Sequence, residues 1–273
     1  MKAGINQWAF PADMPTPEAI SQAHWLGFEA FEVCVEEEGR VPLDISEADA
    51  VAIRKHADAL GVTLCSMGCG LHWRYPLSSP EESTREQGRE ITRQALRIAH
   101  WMEIESLLVV PGTVTESAPY DMVLEHSLAS LQDLRAEAEK QRVTIAIENV
   151  WNRFLLSPTE FRDFIDQCDS PYIGAYFDIG NVLAFGYPEQ WIRILGRRIK
   201  AVHAKDFRTE VGTLAGFVML LEGDVNWPAV MRSLREAGYT NPLIAEYFAP
   251  TQAHAGDAML RQILTGLKTI TSL

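Results

Sequence analysis

The chain has 273 residues, 47% of them hydrophobic, and a formal net charge of −13 at pH 7. That is enough apolar material for one barrel-sized core rather than two small ones. The acidic balance argues against a general polyanion binder, since affinity for nucleic acid depends largely on basic contacts to phosphate.

No apolar run approaches the roughly 18 residues of a membrane span. The opening MKAGINQWAF enters a strand-like segment without a signal-peptide core, so a cytoplasmic protein is expected. The four cysteines, Cys34, Cys65, Cys69 and Cys168, form no CxxC pair and read as reduced thiols of core or loops.

In chain order, a first strand is predicted from Ala3 to Trp8 and a helix from Thr16 to Leu26, stopped by Gly27. FEAFEV is the second strand, with Glu29 and Glu32 near its start and middle. The amphipathic run from Ile45 to Leu60 is a helix capped by Asp44 or Ser46 and ended by Gly61. VTLCSMGCG, the third strand, opens into a long loop, LHWRYPLSSPEES, before a helix from about Pro80 to Met102. SLLVVPG is the fourth strand, and its helix runs from Tyr120 to Lys140. VTIAIEN is the fifth, and NVWNRFLLSPTEF leads through Ser157 and Pro158 into a helix ending near Cys168. IGAYFD is the sixth; its helix follows Pro188 and stops near Gly196. IKAVHAKD is the seventh, succeeded by a loop from Phe207 to Asn226, a length that usually marks function in a compact domain. Trp227 to Ala237 is a helix ended by Gly238, LIAEY is the eighth strand, and Gly256 to Ile270 is the closing helix.

Eight strand–helix pairs at a mean of about 34 residues each match the α/β class and a single (β/α)8 TIM barrel, with residues 1–273 as one domain. An open doubly wound sheet is the alternative, but INQWAFP after the first strand is no glycine-rich dinucleotide turn.

Four successive strand-like runs end in a residue able to bind metal: Glu148, Asp178, His203 and Glu246. In a parallel barrel the C-terminal strand ends converge on one mouth, where the chemistry of that fold sits. An acidic side chain ending an apolar strand is expensive unless it is paired, hydrogen-bonded or metal-bound. Singly, each of these residues is as readily a solvated strand end, a helix cap (Asp178) or a satisfied core histidine (His203); the set of four is what points to a site. Three carboxylates and an imidazole suit one divalent ion, manganese first, with magnesium, cobalt or zinc as alternatives. Counting back by twos, Ala146 and Thr144, Tyr176 and Gly174, and Ala201 and Ile199 face inward, while Ile145 and Ile147 face the helices.

Taken together, ENVWNRFLLSPTEF, FDIGN, AVHAKDF and AEYF, in this order and spacing, resemble the xylose-isomerase-like TIM-barrel superfamily. Its members include sugar-phosphate isomerases and epimerases, ketose 3-epimerases, inosose dehydratases and endonuclease IV. The sequence is most similar to the L-ribulose-5-phosphate 3-epimerase and hexulose-6-phosphate isomerase branch. The match is strongest over residues 144–248 and includes the turn Leu221-Glu222-Gly223-Asp224-Val225.

The resemblance implies that Glu148, Asp178, His203 and Glu246 are the metal ligands and that Glu148 and Glu246 double as the acid/base pair. It also implies a small-molecule sugar or sugar phosphate as partner and, since barrels of this type often pair, a homo-oligomer; the acidic charge and the lack of a membrane-length apolar run argue against nucleic acid and membrane as partners. The chemistry agrees. Removing a proton beside a ketose carbonyl leaves enediolate charge that a chelating metal holds as a Lewis acid. Epimerisation then needs one carboxylate on each face of the planar carbon.

The nearest chemical rival is a lyase dehydrating a keto-inositol through the same enolate chemistry. A non-catalytic metal- and sugar-binding barrel is the rival from another class. A nuclease of the endonuclease IV type fits poorly. Asn181 stands three residues after the aspartate, where that enzyme and many free-ketose epimerases carry a histidine. Only seven histidines are present, and His24, His56, His100 and His126 fall on predicted helices.

For substrate contacts, Asn181 is a candidate to orient a sugar hydroxyl, with helix capping as the plainer alternative. Lys205 shares the parity of His203 and is a candidate carbonyl or phosphate partner, with Asp206 to hold it or a hydroxyl. Arg153 is an anion candidate and Trp151 an apolar wall. Trp8, His72 and Trp73 sit at strand ends of the same mouth, and Glu222 and Asp224 form a lid turn or an exposed acidic one.

Overall fold

In the computed structural model, which describes residues 1–250 and 255–273, eight parallel strands close into a barrel. They are β1 (Ala3–Asn6), β2 (Ala30–Val35), β3 (Thr63–Cys69), β4 (Ser106–Val109), β5 (Thr144–Glu148), β6 (Ile173–Asp178), β7 (Ile199–Ala204) and β10 (Leu243–Ala245). Closure is made by β10 lying parallel to β1, with Leu243 beside Ala3 and Ala245 beside Ile5. The two strands left out of the ring, β8 (Asp206–Phe207) and β9 (Phe217–Val218), form a small antiparallel hairpin.

The helices α1 (Thr16–Leu26), α2 (Glu47–Leu60), α3 (Glu82–Trp101), α4 (Tyr120–Gln141), α5 (Pro158–Gln167), α6 (Ile179–Val182), α7 (Pro188–Leu195), α8 (Trp227–Glu236) and α9 (Gly256–Thr271) occupy the crossovers and the C-terminus. Their ends carry local signals. Of the two candidate caps for α2, Ser46 is the one used: its hydroxyl accepts from the Asp49 amide at 3.1 Å. Ser157 and Asn226 cap α5 and α8 in the same way, each followed by a proline in the first turn.

Strand alternation divides the apolar residues into two cores. Ile145, Ile147, Phe177 and Val202 pack outward against the helices. Leu108, Val110, Ala146, Tyr176, Ala201 and Ile244 form a smaller inner cluster within the ring. Ala146, Tyr176 and Ala201 therefore face as the alternation predicts. Ile199 does not, because it joins the outer core. The β6–β7 register explains the correction. Ala175 pairs with Ile199 but Tyr176 pairs with Ala201, so Lys200 is an extra residue that reverses the parity below it.

Two other differences bear on the site. The first strand stops at Asn6 rather than Trp8, since the Asn6 side chain accepts from the Trp8 amide at 2.6 Å and turns the chain into a single 3-10 turn. The long segment after β7 is not an open loop. Asp206 is fully buried and accepts from the amides of Leu221 (2.9 Å) and Val225 (3.2 Å) and from the Trp227 indole (3.1 Å). Asp206 thus anchors this segment instead of holding Lys205. Gly223 lies so close that a Cβ there would overlap the Asp206 carboxylate.

Candidate metal centre

Glu148 ends β5 and Asp178 ends β6, while His203 lies near the end of β7 and Glu246 directly follows β10. All four are buried, and one ligand atom from each lies within 4.8 Å of the others. His203 Nδ1 is 3.3 Å from Glu246 Oε2, 3.4 Å from Glu148 Oε1 and 3.9 Å from Asp178 Oδ2. The Asp178 carboxylate is divided. Its Oδ1 accepts from the Asn181 amide at 2.8 Å and caps α6, whereas its Oδ2 faces the cluster.

Asp178 Oδ2 and Glu246 Oε2 are buried without a well-formed hydrogen bond. Among the described residues, the Lys205 ammonium, 3.0 Å from Asp178 Oδ2 and paired also with Glu246, and the edge of His203 stand beside them. Buried carboxylate oxygens converging with an imidazole nitrogen are a donor set that a divalent cation fits.

Burial pushes the Glu148 carboxyl up to about 7, with the Glu246 charge adding to the effect. Burial opposes the charge of Glu246 as well. The Lys205 ammonium and His203 outweigh it and hold that carboxyl below the usual range. Asp178 is raised by burial, against the pull of Lys205. His203 is buried too, yet Glu32 and Glu246 hold its pKa well above the ordinary value. The same Lys205 and His203 pull on both glutamates, yet burial prevails at Glu148 and the cations prevail at Glu246, so the two shift in opposite directions.

The profile of the xylose isomerase-like TIM barrel matches residues 20–269. The chain belongs to that family. L-ribulose-5-phosphate 3-epimerase UlaE of Shigella boydii serotype 18 is 29% identical over 251 residues, covering 91% of this chain and 87% of that protein. Putative L-ribulose-5-phosphate 3-epimerase SgbU of Escherichia coli K12 is 28% identical over 257 residues, covering 89% and 87%. Among solved structures, a D-psicose 3-epimerase crystallised in the presence of D-fructose superposes with a TM-score of 0.81 at 18% identity, covering 100% of this chain and 97% of that one. An L-ribulose 3-epimerase gives the same TM-score and identity over 99% and 96%.

Within this xylose isomerase-like barrel, the other sequence-predicted residues fall in different places. Lys205 joins the cluster, its Nζ 5.5 Å above the Phe217 ring. Trp151 packs against Phe207 and Phe217, each ring centroid 5.4 Å away, and donates from its indole to the Asn181 carbonyl at 2.9 Å. Asn181 is buried, and its amide donates to the Asn149 carbonyl at 3.0 Å. Trp8 stacks on Phe248 at 6.0 Å.

His72 is not brought to the cluster. It is buried against Thr92 of α3 at 2.9 Å, and burial pushes its pKa down to about 4. Arg153 is exposed in the segment between β5 and α5, and Trp73 is about half exposed. Glu222 and Asp224 lie on the exposed side of the turn that Asp206 anchors, where Asp224 accepts from Thr209.

Three residues that sequence reasoning left unassigned stand close to the cluster. Asn149 clamps Asp178 by accepting from its amide and donating to its carbonyl, both at 2.8 Å, which extends the β5–β6 ladder beyond Glu148. Phe217 arrives on the β8–β9 hairpin. Glu32 of β2 lies 2.9 Å from His203 Nε2. A carboxylate in the middle of the apolar strand AFEVCV was the available signal for Glu32. For Asn149 and Phe217 the sequence carried none.

Proposed function

We propose that this chain is a divalent-metal-dependent epimerase of a ketose or ketose phosphate, acting by proton transfer at the carbon beside the carbonyl. The observation that carries the reading is the pair Glu148 and Glu246. They are borne by strands separated around the ring by β6 and β7, and they converge with Asp178 and His203 on one buried point. A divalent ion held by these four residues supplies Lewis-acid polarisation of the ketose carbonyl and adjacent hydroxyl.

The chain's own groups do the rest. One glutamate takes the proton from C3, and the other returns a proton to the opposite face. Lys205 beside Glu246 keeps that carboxylate ionised and presents an ammonium toward the sugar oxygens. Trp151 and Phe217, backed by the fully buried Phe207, offer an apolar wall for the carbon face of the sugar. The resemblance over most of the chain to L-ribulose-5-phosphate 3-epimerases supports the 3-position and makes L-ribulose 5-phosphate the first substrate to try.

The test is a panel of ketoses and ketose phosphates in D2O with manganese, cobalt, magnesium or zinc, followed by proton NMR and mass. The expected result is a 3-epimer carrying one solvent deuteron at C3. New ultraviolet absorbance with loss of water would replace epimerase by dehydratase. Absence of both exchange and product with every metal would leave a binding barrel without chemistry.

A further inference from the structure

Beneath the four-residue cluster, the fully buried carboxylate of Glu32 sits inside the ring and accepts from four strands. Its Oε1 receives the Asn6 amide from β1 and lies 2.9 Å from His203 Nε2 of β7. Its Oε2 receives the Ser66 hydroxyl of β3 at 2.6 Å and the Tyr176 hydroxyl of β6. An ionised carboxylate has no hydrogen to give. Facing it at hydrogen-bond distance, Nε2 must carry the proton, which leaves Nδ1 of a neutral imidazole as the bare lone pair among Glu148, Asp178 and Glu246. Tyr176 also packs its ring 4.3 Å from that of His203 at 50°, which restricts rotation of the imidazole.

We infer that Glu32 is a positioning residue that fixes the tautomer and ring orientation of His203, so that Nδ1 is presented to the metal. The inference rests on the metal-centre reading above and adds to it a buried carboxylate on the opposite side of the barrel. Asn6, Ser66 and Tyr176 are the groups that fix the plane of that carboxylate. Hydrogen-bonded supports of this kind typically change metal affinity by about 10–100-fold.

The first measurement uses the unaltered protein loaded with Zn(II), with 15N-labelled histidine and His203 identified by its loss in His203→Gln. Long-range 15N–1H correlation is expected to show a protonated Nε2 and a metal-bound Nδ1; the reverse would overturn the inference. The second is Zn(II) affinity by chelator competition. Glu32→Gln, which keeps the shape and removes the charge, is expected to weaken binding by about 10–100-fold. Ile244→Ala, which loosens the same interior without touching the hydrogen bond, is expected to stay within about twofold of the parent. Unchanged affinity in Glu32→Gln, or an equal loss in Ile244→Ala, would refute a positioning role. If the unaltered protein bound no divalent ion, the metal centre itself would fall and this inference with it. A failure confined to Glu32→Gln leaves the epimerase test above untouched. Should Glu32→Gln not fold, the tautomer measured in the unaltered protein decides alone.

Discussion

Two buried polar groups lie one above the other in this barrel, and they are built on opposite rules. The lower one, around Glu32, draws Asn6, Ser66, Tyr176 and His203 onto one carboxylate until its oxygens are well supplied with partners. The upper one, around Glu148, Asp178, His203 and Glu246, leaves two buried carboxylate oxygens without a well-formed hydrogen bond to any described residue, beside the Lys205 ammonium. A satisfied network rigidifies, whereas a partly satisfied one of like charges stays in place only if something else neutralises it. The lower group reads as support and the upper as a donor set that could hold a cation, with His203 belonging to both.

That contrast can be broken most severely by removing a metal-facing side chain. His203→Ala and Asp178→Ala should each take bound metal from about one ion per chain to none detectable by elemental analysis. This is a larger loss than the roughly 100-fold expected from a supporting hydrogen bond. Full occupancy in both variants would dissolve the distinction between the two groups.

Next come Glu148→Gln and Glu246→Gln, each expected to slow epimerisation by about a hundredfold or more. Their residual exchange is the sharper readout. In a two-base mechanism, one variant still exchanges the C3 proton of one epimer with solvent, and the other variant does so only with the opposite epimer. Undiminished inversion in either would remove that glutamate from the chemistry.

A third kind of buried polar group supplies a pH test. Buried His72 titrates at about 4 against an ordinary 6.5. Between those values the unfolded chain binds a proton that the folded chain refuses. Its contribution is therefore complete above about pH 6.5 and is lost as pH falls toward 4, by about 3 kcal/mol. Urea unfolding at pH 7 and pH 4.5 should show this fall, and His72→Gln should flatten it. An identical slope in the variant would assign the acid sensitivity elsewhere.

Smaller again is Asn149→Ala, which strips both clamping hydrogen bonds from the Asp178 backbone and should destabilise the fold by about 1–3 kcal/mol, read as a lowered denaturation midpoint. Last, Lys205→Met removes the cation that competes for the upper carboxylates. Metal affinity should rise by a few-fold while the metal-free protein melts lower. A fall in affinity would mean that the ammonium helps to assemble the site.

The ring order and the four strand-end residues were legible because both follow from short-range rules. A period of two along a parallel strand and a turn at its end decide which side chains reach the mouth, whatever lies elsewhere in the chain. The same rule carried Lys205 to the cluster. It failed at Ile199, where the extra Lys200 in β7 changes parity without any mark in composition. It sets Glu29 and Glu32, three residues apart, on opposite faces of the second strand without deciding which face looks into the ring. Only ring closure makes Glu32 the meeting point of β1, β3, β6 and β7.

The sequence by itself thus determined the barrel, its strand ends and the kinds of donor they carry, because local periodicity and the expense of burying charge are properties of short segments. The tertiary structure alone decided which carboxylates remain open to a cation, which nitrogen of His203 faces them, and that Phe217 is carried on a folded-back hairpin to the side of Lys205. The reason is physical: each of those outcomes depends on distances between residues far apart in the chain, and such distances exist only after the ring has closed.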